Sequence, residues 1–287
     1  VPPVMERIKA DFEKALPGIA VEYFRYPGAQ LIAKVEQGRL ARADEADLLI
    51  SAEVAWLEDK AREGYFVVAS GPSAAAWPAN HMIHATVPAL MYEMQVVAYN
   101  TNLVKPPITS YSDLLRPELK GKIATQDIIS TNIFAQYDWF EKTQGPNFLA
   151  RLAQQQPKLY TSSTIGIQSI ASGELAAITT AGAGVVVPLI KAGAPVAMYV
   201  PNPAFGFRYG GAVMSAAKRP GAAQVMMDYL LSRRGQAIWA GGGDSASPLP
   251  NIPGSLDAKA INAFDAKAYP PAVTDPYRVK WNNLFKK

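Results

Sequence analysis

The stretch that most constrains this chain runs from Gln95 to Gln126. It opens on the apolar run Val96-Val97-Ala98-Tyr99 and breaks at Asn100-Thr101-Asn102. After Lys105-Pro106-Pro107 comes a short amphipathic turn, Ser110-Tyr111-Ser112-Asp113-Leu114-Leu115, which Arg116-Pro117 stops. Leu119 to Thr125 then rises into a new strand. A buried strand, an exit and a fresh start are the marks of a chain leaving one folding unit for a second. A chain of 287 residues is long enough to fill two cores.

The residues before this exit alternate between helical and strand periods. Val4, Ile8, Phe12 and Leu16 recur four apart on one face of a helix that Pro17-Gly18 ends. Ile19 to Arg25 alternates as a strand, and a helix is expected over Gln30 to Gln37. Asp47-Leu48-Leu49-Ile50 reads as a short buried strand, with Ser51 as N-cap of a helix over Ala52–Glu63 and Gly64 at its C′ position. Helices alternating with strands are the pattern of a parallel α/β sheet. Such a unit normally begins on a strand, so a first strand is expected upstream of residue 1. Ser70 to Pro88 is loop-like, and Thr86 to Tyr99 is β-rich with breaks at Pro88 and Glu93.

Beyond the exit the alternation resumes. The strand at Lys122–Thr125 feeds Ser130-Thr131-Asn132, an N-cap signal for a helix carrying Ile133, Phe134, Tyr137 and Phe140. Ser162-Ser163-Thr164 caps another helix, Ala176–Thr180 is a strand, and Val196–Val200 a further one. Phe207 to Ser215, with Gly210-Gly211 inside it, reads as a returning strand. An amphipathic helix follows from Pro220 to Ser232. The proline- and aromatic-rich tail is expected to pack over the two lobes.

Composition removes whole classes of function. The chain has no cysteine, which excludes disulfides, thiol catalysis and Cys-ligated metal, and is compatible with an oxidising compartment. The net charge of +4 is spread out. Its densest clusters, Arg233-Arg234 and Lys286-Lys287, are too small for a nucleic-acid stripe. No apolar run approaches the ~20 residues that span a bilayer.

Tyr99-Asn100-Thr101, Ser112-Asp113-Leu114 and Pro117-Glu118-Leu119-Lys120-Gly121-Lys122-Ile123 are the most specific pieces of a wider pattern. Ala46-Asp47-Leu48-Leu49, Ser172-Gly173-Glu174-Leu175 and the stretch from Pro220 to Gln236 support it. In that order and spacing the chain resembles the periplasmic solute-binding proteins of ABC importers, in the subgroup that includes ferric-iron binders. The resemblance implies a type II periplasmic binding fold, with two Rossmann-like α/β lobes joined by two hinge strands. One lobe would comprise residues 1–98 and 206–287, its tail packing across, and the other residues 99–205. It implies a monomeric periplasmic receptor with no cofactor and no chemistry, ligand held between the lobes, hinge closure, and an ABC permease of the inner membrane as partner.

In lobes of this kind ligands meet the carboxyl ends of strands and helix N-termini. That singles out Ser51, Ser130 and Thr131, all equally suited to plain capping, and Thr179 and Thr180 at a strand end. Glu53 is a candidate beside Ser51. Gln95 and Glu93 alternate along the crossing strand, and Tyr92 and Tyr209 are candidate floor residues. Some ferric-binding relatives carry adjacent tyrosines before the return strand. Here that region reads Ala204-Phe205-Gly206-Phe207-Arg208-Tyr209, with one tyrosine. Arg208 suits a carboxylate or phosphate oxygen better than iron. The leading expectation is therefore a small anionic solute such as a carboxylate, phosphonate or phosphate ester, with ferric iron and a synergistic anion as the alternative. An enzyme on a similar scaffold is a more remote possibility. No Ser–His–Asp spacing, phosphate-binding glycine motif or zinc motif is present. His81 and His84, the only histidines, would point to opposite faces of a strand and are not expected to hold metal.

Overall fold

Val4, Ile8 and Phe12 are buried on one face of α1 (Pro2–Ala15), as their spacing predicts, while Leu16 lies just past the helix end and is exposed. The computed structural model describes residues 2–41, 43, 46–265 and 268–286. Lys287 of the terminal basic pair lies outside them. The elements that follow α1 are α2 (Gly28–Leu40), β1 (Leu48–Ser51), α3 (Val54–Arg62), β2 (Phe66–Val67), α4 (Pro72–Ala75), β3 (Met82–His84) and β4 (Val87–Asn100). Then come β5 (Ile123–Gln126), α5 (Thr131–Gln144), α6 (Phe148–Gln154), β6 (Lys158–Tyr160), α7 (Ser163–Ala171), β7 (Ala177–Gly182), α8 (Ala183–Lys191), β8 (Val196–Tyr199) and β9 (Ala204–Met214). The chain closes with α9 (Pro220–Leu231), α10 (Arg233–Ala240), β10 (Ser245–Ala246), β11 (Ile261–Ala263) and α11 (Pro271–Phe285).

These elements form two compact units. The first holds residues 1–93 and 208–259, the second 94–207 and 260–287. The chain passes between them within β4 and within β9, a few residues from the expected 98/99 and 205/206. β4 itself is continuous. Neither Pro88 nor Glu93 interrupts it, and Pro88 pairs with Met82 at the strand's start.

In the first unit, β1 runs antiparallel to β9, with Leu48 opposite Val213 and Ser51 opposite Gly210. A parallel partner was expected, but the neighbour is the returning strand and not the product of a strand–helix–strand crossover. Gly210 and Gly211 are required here. A Cβ on the first would stand 2.7 Å from Leu57 Cδ1, and one on the second 2.5 Å from Leu90 Cδ1, closer than a packed core allows. The Ile19–Arg25 strand does not form. That segment is extended but unpaired with a sheet, because α1 takes its backbone groups. The Val21 amide donates to Glu13 Oε1 at 2.7 Å, and Lys9 Nζ donates to the Val21 carbonyl. The core joins α1 to Leu90, Met227, Leu230 and Trp239.

In the second unit, β5 pairs in parallel with both β6 and β7, as the alternation predicts, and β4 pairs antiparallel with β7 and β8. The exit turn is built as its sequence indicates. Ser110 and Asp113 form a capping box, and the Asp113 carboxylate also accepts from the Thr109 amide at 2.8 Å and pairs with Arg116 at 2.7 Å. The tail differs from expectation. From Ala260 onward it belongs to the second unit, not the first. The reason is aromatic. Trp281 of α11 is fully buried against Tyr137, with ring centroids 5.3 Å apart, and Tyr277 sits 4.5 Å from Phe134.

Candidate functional site

β4 and β9 are hydrogen-bonded neighbours, and each places two candidate residues in succession within the first unit: Tyr92 and Glu93 on β4, Arg208 and Tyr209 on β9. Successive strand residues face opposite sides, so the four divide into two pairs. On one side Tyr209 donates from its hydroxyl to Glu93 Oε2 at 3.1 Å. Burial and the Glu93 charge hold the Tyr209 phenol well above its ordinary pKa, with Arg25 opposing and Glu53 adding to the effect. Glu53 packs over the start of α2, where its carboxylate fills the place a Cβ on Gly28 would take.

On the other side is Arg208. Its Nε is buried and has no hydrogen-bond partner among the described residues. Its charge acts on two neighbours, His81 and Tyr92. The Tyr92 hydroxyl lies 2.7 Å from His81 Nδ1, and the two rings meet edge to face with centroids 5.7 Å apart. Burial first, and then the Arg208 charge, lower the His81 pKa below the usual histidine range. Burial raises the Tyr92 phenol while Arg208 pulls it down. The sequence separates His81 from Tyr92 by a turn, and only the pairing of β3 with β4 brings them together. That pairing is signalled weakly, by Pro88 and by a three-residue strand.

Ser51 is the last residue of β1 and not the cap of α3. Its hydroxyl accepts from the Glu53 amide at 3.1 Å, and Glu53 occupies the cap position. The backbone needs two further residues to turn from strand to helix, which moves the helix start past the serine.

The second unit gathers Gln95, Thr179 and Thr180 with three residues that sequence reasoning did not single out as a group: Thr125, Gln136 and Tyr137. All are buried. Thr180 donates to Gln95 Oε1 at 3.0 Å, and Gln136 Nε2 donates to Thr180. Thr125 Oγ1 lies 2.7 Å from the Thr179 hydroxyl and 2.8 Å from that of Tyr137, which in turn donates to the Gln126 carbonyl. Burial leads in raising the Tyr137 phenol. Ser130 and Thr131 stand apart from this network at the start of α5. Both are partly exposed, and Ser130 at the cap position makes no side-chain capping bond.

The two histidines do not converge, since His84 Nδ1 faces the Thr86 hydroxyl at 3.1 Å. Among the described residues no three His, Asp or Glu side chains come together to hold a metal ion. No helix among them is long and apolar enough to cross a membrane.

The family model for bacterial extracellular solute-binding protein matches residues 1–243. No curated protein matches the chain. Among solved structures, the substrate-binding protein of an ABC transporter from Agrobacterium tumefaciens superposes with a TM-score of 0.88 at 18% identity, over 100% of this chain and 93% of that one. The periplasmic binding protein AfuA from Actinobacillus pleuropneumoniae, with fructose-6-phosphate bound, gives 0.75 at 19% identity, over 99% and 95%. The apo ferric ion-binding protein A of Pasteurella haemolytica gives 0.71 at 17% identity, over 100% and 95%. Further ferric- or iron-binding proteins are among the matches. These likenesses show a two-lobed α/β binding-protein fold.

Proposed function

We propose, because this chain belongs to the bacterial extracellular solute-binding proteins, that it captures a small anionic solute and hands it to the permease of an ABC importer. Membership makes it an extracytoplasmic transport protein and not an enzyme. The observation that carries the anionic reading is the Arg208 guanidinium. Its buried Nε has no acceptor among the described residues. The residue is partly exposed, but a buried donor without an acceptor is costly, and a bidentate oxyanion supplies that acceptor together with a charge opposite to the guanidinium. Carboxylates, phosphonates and phosphate esters all fit that description, and the relative shown with fructose-6-phosphate supports the last of them. Ser130 and Thr131 are candidates in the second unit on position, as partly exposed hydroxyls at the N-terminus of α5.

Ferric iron accompanied by an anion is the second reading. It is favoured by the number of ferric- and iron-binding proteins among the matched structures and by the Tyr209–Glu93 pair, which offers the hard oxygens iron(III) prefers. On this reading Arg208 holds the accompanying anion. A thermal-shift panel separates the two readings. A bound probe raises stability by about 2.7 kcal/mol at a hundredfold excess over its Kd. Stabilisation by organic anions without iron, lost in Arg208→Ala, supports the first. Stabilisation only by ferric citrate, with a visible tyrosinate–iron band, supports the second and overturns the first.

A further inference from the structure

We infer that His81 is a specificity residue of the Arg208 site, held in orientation by Tyr92, and that the site takes a doubly charged phosphoryl group in preference to a singly charged carboxylate. The inference rests on the anionic reading of Arg208 given above and adds the charge class of the solute.

The geometry assigns the two ring nitrogens different tasks. Nδ1 is occupied by the Tyr92 hydroxyl at 2.7 Å. With the phenol donating to Nδ1, the ring proton resides on Nε2, which is then the ring's donor. When the ring gains a second proton, the Nδ1 bond reverses and Nε2 remains a donor. Tyr92 therefore fixes the ring in both charge states, and the edge-to-face contact of the two rings does the same sterically.

The charge balance supplies the preference. The buried Nε of Arg208 has no acceptor among the described residues, and the guanidinium carries one positive charge. One bound carboxylate neutralises it and leaves His81 neutral. A phosphoryl dianion leaves one negative charge over, and a protonated His81 supplies the matching one. The charged and titratable groups that act on His81 are Arg208 from β9 and Tyr92 from β4. In the unliganded protein burial and Arg208 disfavour the imidazolium; a dianion reverses the second of these. Binding a dianion near neutral pH is thus coupled to uptake of a proton by the ring, and binding a monocarboxylate is not.

The test is calorimetric titration of the whole chain with fructose 6-phosphate, inorganic sulfate and pyruvate, in buffers of different ionisation enthalpy. Sulfate is doubly charged across pH 5–8 in solution, so any proton taken up with it is on the protein. The expected result is tighter binding of the two dianions than of pyruvate, with proton uptake for sulfate that vanishes in His81→Gln. That variant loses about tenfold in dianion affinity, the effect of one pKa unit of coupling, and keeps pyruvate binding. Tyr92→Phe lowers proton uptake with an unchanged melting temperature, a readout a packing role alone would not move. Unchanged dianion affinity and proton uptake in His81→Gln, together with lost binding in Arg208→Ala, overturns the inference and leaves the anionic reading standing. Pyruvate binding more tightly than both dianions does the same. Unchanged binding in Arg208→Ala removes the anionic reading itself.

Discussion

The Arg208 cluster of the first unit and the threonine network of the second are both polar groups withdrawn from water, and they meet that condition in opposite ways. The hydroxyls of Thr125, Thr179, Thr180 and Tyr137 bond to one another, to Gln95 and Gln136 and to a backbone carbonyl, and only Gln136 Oε1 is left over among them. A hydroxyl so engaged gains a ligand only by giving up a partner. Arg208 has neighbours, His81 and Tyr92, but no acceptor for its buried Nε among the described residues. The difference teaches where to look for ligand binding: each place leaves one buried polar atom without a partner among the described residues, Gln136 Oε1 in the network and Arg208 Nε in the cluster, and only at Arg208 does that atom belong to a charged group, with the most to gain from an anionic solute.

The largest expected effect tests the incomplete side. Arg208→Ala should weaken anion binding by about thirtyfold or more, in keeping with the roughly 2–5 kcal/mol seen when one member of a buried charge pair is removed. It should leave the melting temperature of the unliganded protein unchanged or raised, since the buried Nε has no acceptor among the described residues to lose. A large fall in stability would show that Arg208 is structural and would erase the contrast.

The converse holds for the complete side. Thr125→Val keeps the shape but removes a partner from the hydroxyls of Thr179 and Tyr137, the second of which keeps the Gln126 carbonyl, and should lower stability by about 1–3 kcal/mol in urea denaturation. A neutral result would mean that the network contributes little and that its burial says nothing about role.

Asp113 sharpens the comparison with a charge that is fully partnered. Burial alone would raise its pKa, but hydrogen bonds from Thr109 and Ser110 and the pair with Arg116 bring it down to about 2. A depressed carboxylate contributes stability that is full above its unfolded value of about 3.9 and is lost as the pH falls through about 2. Asp113→Ala should cost about 1 kcal/mol at pH 7, the usual value of a cap. The gap between variant and parent should close in denaturation curves recorded near pH 2.

The smallest effect is expected at Lys158–Glu174, an ion pair whose side chains are both 53% exposed. Glu174→Ala should leave the denaturation midpoint within error, because water and salt already screen such a pair. A measurable shift there would weaken any conclusion drawn from partner counting in this molecule.

Much of the architecture was legible before the coordinates. The period of Val4, Ile8 and Phe12 located α1, and Ser110 with Asp113 located the capped turn after the exit strand. The parallel pairing of β5 with β6 and β7 followed from the alternation of strand and helix. Arg208 stood out through its chemistry and the lack of a neighbouring tyrosine pair. What was not legible depended on partners distant in the chain. The segment Ile19–Arg25 has a strand's alternation, yet Lys9 and Glu13 take its backbone groups. Ser51 has the composition of a cap, yet the strand claims it. The tail's aromatic residues are visible in the sequence, but their choice of Phe134 and Tyr137 is not.

The sequence by itself determined the class of fold, the exit and return of the chain, and the presence of an arginine suited to an oxyanion. These depend on local periodicity and on the intrinsic chemistry of single side chains, which act without reference to distant residues. Only the tertiary structure decided that Thr179 and Thr180 find protein partners, that Arg208 Nε finds none among the described residues, and that His81 stands against Tyr92. Whether a polar group is complete is a property of every group that could reach it, and strand pairing alone brings those groups within hydrogen-bond distance.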